Sequence, residues 1–136
     1  MSDHQSAGAT GGVRGMLRFE GLMLFTAALL LYAHAGASWI LFFALFLAPD
    51  LSFIGYIFGP RVGALAYNAV HTTAGPIVLA LASQLNIATT VPLFPIALIW
   101  FAHLGFDRAL GYGLKYASGF SDTHLGVSAK TRTQLA

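Results

Sequence analysis

"ASWILFFALFLAPDLSFIGYIF", residues 37–58, decides the fold. It holds a single charged residue, Asp50, and is long enough to cross a hydrocarbon core as a helix, which takes about 20 residues. Its apolar residues run continuously instead of alternating, which argues against a strand of a membrane barrel. An acid inside such a run costs roughly 2.5–3.5 kcal/mol even on the most lenient insertion scale. The stretch that gives the fold therefore also marks where function should be sought.

Working outward, three further apolar runs appear. Residues 16–35 are interrupted by Arg18 and Glu20, residues 62–85 contain Asn68, His71 and a Gly75-Pro76 pair, and residues 91–111 form the last. Short connections make consecutive helices antiparallel neighbours. The expected fold is all-α: a polytopic membrane protein with a four-transmembrane-helix up-down bundle over residues 16–113. A polar, disordered tail is expected at 1–15, and a cytoplasmic C-terminal segment at 114–136.

Composition agrees. The chain is 57% hydrophobic and 9% charged, against roughly 25% charged in soluble domains, and its mean hydropathy is +0.71. A soluble globule, a disordered chain and a nucleic-acid partner are all poor fits. The absence of cysteine removes disulfides, thiolate nucleophiles and cysteine-ligated metals. Arg14, Arg18, Arg61, Arg108, Lys115, Lys130 and Arg132 all fall on one side of a four-pass chain, and the connections at 34–38 and 84–90 carry no Lys or Arg. The positive-inside rule then places both termini in the cytoplasm.

Glu20, Asp50, His71, His103 and Asp107 lie within or at the edge of the spans. Counting a rise of ~1.5 Å per residue, Glu20 and Asp107 lie roughly 6–8 Å from the cytoplasmic end. Asp50, His71 and His103 lie at about 12–14 Å. Every helix thus contributes to one layer. His103 and Asp107 are spaced i, i+4 and share a helix face, and Asn68 and His71, three apart, can do the same. Imidazoles and carboxylates on facing helices are an established way to hold a metal in a bundle core. Without thiolates the set suits a divalent metal, and zinc, manganese, iron and magnesium are not distinguished.

Plainer readings stand beside these. His71 alone fits a core histidine bonded to a backbone carbonyl. Glu20 fits a helix start or a pair with Arg18, and Asp107 an interfacial pair with Arg108. Arg61 fits either an anionic headgroup contact or a topology signal. The C-terminal stretch fits either a cap that adds Asp122 or His124 to the site, or an amphipathic segment on the membrane surface.

"LRFEG" at 17–21, "APDLSFIGYIFGPRVGALAYNAVH" at 48–71 and "IWFAHLGFDRALGYGLKYASGFSDTHLG" at 99–126 resemble a family of bacterial four-helix membrane proteins known as a domain of unknown function. That resemblance implies a bacterial inner-membrane location and no activity. The chain is more distantly similar to the LexA-regulated inner-membrane metal-dependent hydrolases. Asp50, His71, His103 and Asp107 match acidic and histidine positions of their pattern. Ser52 stands where that pattern has a second Asp, and Ala66 and Tyr67 stand where it has His and Arg.

The leading expectation is a metal-dependent membrane hydrolase acting on a lipid-like ester or phosphoester. Asp50, His71, His103 and Asp107 would be its ligands, and Glu20 and Asp107 its catalytic acids. Arg61, Asn68, Arg108 and Lys115 would contact substrate, with Asp122 and His124 as a cap. The expected partners are membrane lipids and further copies of the chain. The alternatives are a proton- or metal-coupled transporter and a non-catalytic membrane assembly protein.

Overall fold

The computed structural model describes residues 8–116 and 123–126. They form helices α1 (Gly11–His34), α2 (Trp39–Leu45), a 3₁₀ helix (Ala48–Phe58), α3 (Pro60–His71), α4 (Ala74–Ala82) and α5 (Leu93–Leu110). Four stretches are long and apolar enough to span a membrane: Gly11–His34, Trp39–Phe58, Pro60–Ala82 and Leu93–Leu110. The surface agrees with lipid as the solvent, since Ile40, Phe43 and Ile57 are 84%, 73% and 79% exposed. The protein is a four-helix membrane bundle.

Two of the spans are broken, each by a proline. Pro49 has no N–H to continue α2, and the chain winds on as a 3₁₀ helix from Ala48. Pro76 cannot donate to the Thr72 carbonyl, and α3 stops at His71 with Thr72 extended before α4 begins. Asp50 and His71 each sit at one of these breaks. Gly59 (φ 110°) turns the 3₁₀ helix into α3. Eight residues of 3₁₀ helix rise about 16 Å from Phe58 to Asp50, and eleven of α-helix rise about 16 Å from Pro60 to His71. The two arms therefore deliver Asp50 and His71 to one depth, a few Å deeper than an all-α reading of the sequence places Asp50.

α5 packs against α1 through two glycines. A Cβ on Gly105 would stand 2.5 Å from the Phe25 nitrogen, and one on Gly21 would stand 2.5 Å from Arg108 Cβ. This close approach is the small-residue packing expected of helices in lipid. At the far end Ala28, Tyr32, Phe42, Leu98, Ile99 and Ala102 form a hydrophobic core. α1 starts at Gly11, within the stretch the sequence suggests as a tail. Its Arg18 Nε donates to the Ala109 carbonyl at 2.9 Å, satisfying a C-terminal carbonyl of α5.

Candidate metal centre

Four side chains from three spans converge. His103 Nε2 lies 3.2 Å from Asp107 Oδ2, 3.4 Å from Asp50 Oδ1 and 3.2 Å from His71 Nε2. His71 Nε2 lies 3.5 Å from each of the same two carboxylate oxygens. One ligand atom from each of the four residues falls within 4.8 Å of the other three. Ligand atoms at about 2.0–2.1 Å from a four-coordinate metal stand about 3.3–3.4 Å apart along the edges of the tetrahedron. Five of the six edges here measure 3.2–3.5 Å.

The imidazoles are held in ligand form by the backbone. His71 Nδ1 is 2.9 Å from the Tyr67 carbonyl, so it carries the proton and Nε2 keeps its lone pair in the neutral ring. The Tyr67 ring stacks on the His71 ring at 3.7 Å and 11°. His103 Nδ1 is buried without a well-formed hydrogen bond and faces the Phe46 carbonyl. That carbonyl is open because Pro49 has no N–H and the Asp50 N–H goes to Leu47. A ring N–H aimed at a carbonyl is the usual outer support of a metal-binding histidine. Both histidines are buried, while Asp50 and Asp107 are 35% and 16% exposed.

The carboxylates open onto a pocket of about 300 Å³ lined also by Phe53, Tyr67, Tyr112 and Lys115. Lys115 is 6% exposed, with Nζ 4.7 Å from the Tyr67 ring centroid. Burial pulls its pKa down to about 8, against the opposing pull of Asp107 and Asp50. Gly111 (φ 92°) ends α5 and sends the chain back into the bundle mouth. There Asn68 binds the Lys115 backbone on both sides, donating to its carbonyl and accepting its N–H, each at 2.7 Å.

The remaining sequence-derived site residues are placed as follows. Glu20 is exposed on α1 and outside the four-residue group. Arg61 is exposed two residues past the Gly59 turn, about 15 Å along α3 from His71. Arg108 is oriented by the His71 carbonyl, 3.4 Å from Nη2, and Asn68 is engaged with backbone. His124 accepts the Leu114 N–H on Nδ1 at 2.8 Å and adds no atom to the ligand group. Asp122 lies outside the described residues. The sequence reading missed Tyr67, Phe53 and the Phe46 carbonyl. Tyr67 stands four residues before His71 and Phe53 three after Asp50, so helical spacing was the signal for both.

A sequence family described as a domain of unknown function, DUF4260, matches residues 14–127, a stretch that includes all four clustered residues. The chain belongs to that family. No curated protein and no solved structure matches it. In this DUF4260 protein the similarity to LexA-regulated hydrolases therefore rests on the short motifs alone.

Proposed function

We propose that Asp50, His71, His103 and Asp107 hold one divalent metal and that the site hydrolyses a lipid-like ester or phosphoester. The observation that carries this is the near-tetrahedral spacing of four ligand atoms beside a pocket that also holds Lys115. Charge supports it: two carboxylates and two neutral imidazoles around a divalent cation sum to zero, which a low-dielectric surrounding favours. The spacing suits zinc, manganese or iron. The two imidazoles favour these over magnesium and calcium, which take oxygen ligands.

Held by Asp50, His71 and His103, with Asp107 leaving the ion as water enters, a metal here would supply Lewis acidity toward a carbonyl or phosphoryl oxygen and would lower the pKa of a water. The chain's own groups do the rest. In hydrolysis the water oxygen bonds to the acyl carbon or phosphorus and the bond from that centre to the ester oxygen breaks. Asp107, at the pocket wall, takes the proton from water and returns it to the departing oxygen. Lys115 offsets negative charge in the same pocket. The basic residues at this end of the bundle, Arg14, Arg18, Arg61, Arg108 and Lys115, support a cytoplasm-facing mouth by the positive-inside rule.

A transport path is the weaker reading, because the residues packed beyond the site, from Ala28 to Ala102, form a hydrophobic cluster with no Asp, Glu, His, Lys or Arg in it. The test is elemental analysis of tag-free protein, wild type beside His103→Ala/Asp107→Ala, followed by ester and phosphoester hydrolysis with and without chelator. Near-stoichiometric metal that is lost in the variant, with chelator-sensitive turnover, is the expected result. No metal after reconstitution overturns the proposal.

A further inference from the structure

Two spaces flank the four ligand residues, one edged by charged groups and one wholly apolar in its lining residues. Toward the basic end lies the pocket that holds Lys115 and the two carboxylates among the Phe53, Tyr67 and Tyr112 rings. Toward the middle of the bundle lies an apolar groove of about 240 Å³, lined by Ala48, Pro49, Val70, Ile96, Ile99 and Trp100 among others. Consecutive residues face the two sides: Pro49 lines the groove and Asp50 the pocket. Along α5, Ile99 stands one turn before His103 and Asp107 one turn after it. Val70 lies beside His71 and takes the Trp100 indole N–H on its carbonyl at 2.7 Å, which fixes the groove wall. Each space is within or close to the roughly 300–1,000 Å³ of ordinary small-molecule sites, and both together fall inside that range.

In a bilayer this order, polar toward the surface and apolar toward the middle, is that of an amphiphile lying in its own leaflet. We propose that the substrate is an anionic amphiphile, with its hydrocarbon chain in the Ala48–Trp100 groove and its headgroup beside Lys115. The ester between them then lies at the level of the four ligand atoms. The chemistry rests on the hydrolase reading above; the binding does not. Cleavage of an acyl ester at this level leaves the carboxylate on the chain in the groove. The hydroxyl goes to the headgroup in the pocket; water supplies the new carboxylate oxygen and the hydroxyl proton, and its second proton is released to the medium.

Trp100 is a built-in reporter. With Trp39→Phe in the background it is the sole tryptophan, and a chain-brominated dodecyl phosphate entering the groove quenches it. Saturable quenching is expected in nanodiscs of unbrominated lipid. It should weaken about tenfold in Lys115→Met, as loss of a charged hydrogen-bonding partner implies, and be lost in Ala48→Phe, which fills the groove. A chain-brominated dodecyl maltoside, being neutral, should bind more weakly and show no dependence on Lys115. Metal content of Ala48→Phe should equal that of wild type. It should still cleave a short acetate ester while losing a dodecanoyl ester with an anionic headgroup. Quenching that does not saturate, or is equal for both probes and unchanged in Ala48→Phe, overturns the inference even if the acetate ester is hydrolysed. Saturable, charge-dependent quenching without turnover of any ester at full metal occupancy leaves the amphiphile site standing and removes the hydrolase reading instead.

Discussion

His71 gives its Nδ1 proton to the carbonyl of Tyr67, one helical turn earlier, and lies flat against the Tyr67 ring. The pair fixes both the tautomer and the plane of the imidazole, so that Nε2 faces His103, Asp50 and Asp107. The carbonyl belongs to the backbone, whereas the stacking belongs to the side chain. Tyr67→Phe should therefore retain metal, and Tyr67→Ala should weaken it about 10- to 100-fold, the usual effect of removing outer support. Competition with a graded series of chelators measures both. Equal affinity in Tyr67→Ala and wild type would show that the stack has no such part.

Two acids and two imidazoles this close repel or compete for protons until a cation joins them. Asp107→Asn relieves repulsion in the metal-free protein while removing a ligand. Metal at a concentration 100 times Kd adds about 2.7 kcal/mol to wild-type stability. In Asp107→Asn that increment should vanish, and the metal-free variant should unfold no earlier than metal-free wild type. Thermal unfolding in matched micelles, with and without zinc, reads both quantities. An undiminished zinc increment in the variant would remove Asp107 from the ligand set.

Most of the fold and half of the site were legible in the sequence, for different reasons. Apolar runs of span length are a local property, and they predict the four spans. The convergence of Asp50, His71, His103 and Asp107 was legible because an ionisable residue in a span has few places to go. What was not legible depended on the third dimension. The 3₁₀ winding after Pro49 changes the depth and facing of Asp50, and no residue pattern announces an 11-residue 3₁₀ helix. Glu20 shares the right depth but the wrong side of α1, and depth alone could not tell them apart. Asn68 sits on the expected face of α3, yet binds the returning chain at Lys115, a partner 47 positions away.

The Gly21 and Gly105 contact sets the distance between α1 and α5, and α5 carries two of the four proposed ligands. Gly105→Leu puts a side chain where the Phe25 backbone stands and should cost about 1–3 kcal/mol, with metal affinity falling as His103 and Asp107 shift. Gly12→Ala is the control, since nothing lies within 4 Å of its Cβ. Unfolding in graded denaturing detergent compares the two. Equal stability would mean that the helices can part without cost.

Asn68 holds the C-terminal segment at Lys115 with two 2.7 Å bonds. Asn68→Leu leaves a backbone donor and acceptor unpaired, at roughly 1–3 kcal/mol for each buried group. The Lys115 amide should then exchange with deuterium at least tenfold faster than in wild type. The exchange of α5 amides, which are paired within the helix, should be unchanged. A Lys115 amide equally protected in both proteins would place the anchor elsewhere.

His124 makes the docking of the same segment pH-sensitive. Its Nδ1 accepts the Leu114 N–H at 2.8 Å, its own N–H donates to the Leu114 carbonyl, and its carbonyl takes the Ala9 N–H. Burial and the Arg108 charge hold its pKa below the ordinary 6.5. A group with a lowered pKa in the docked state contributes full stability above its undocked pKa and loses it as pH falls toward the docked value. Protonation puts a second donor opposite the Leu114 N–H, so the loss acts on that bond. Deuterium uptake at Leu114 and Leu125, corrected for intrinsic rate, should therefore rise between pH 7.5 and 5.5. His124→Asn retains a side-chain acceptor but cannot titrate, and its uptake should be flat across the same range. Flat uptake in the wild type would show that the segment is held without His124.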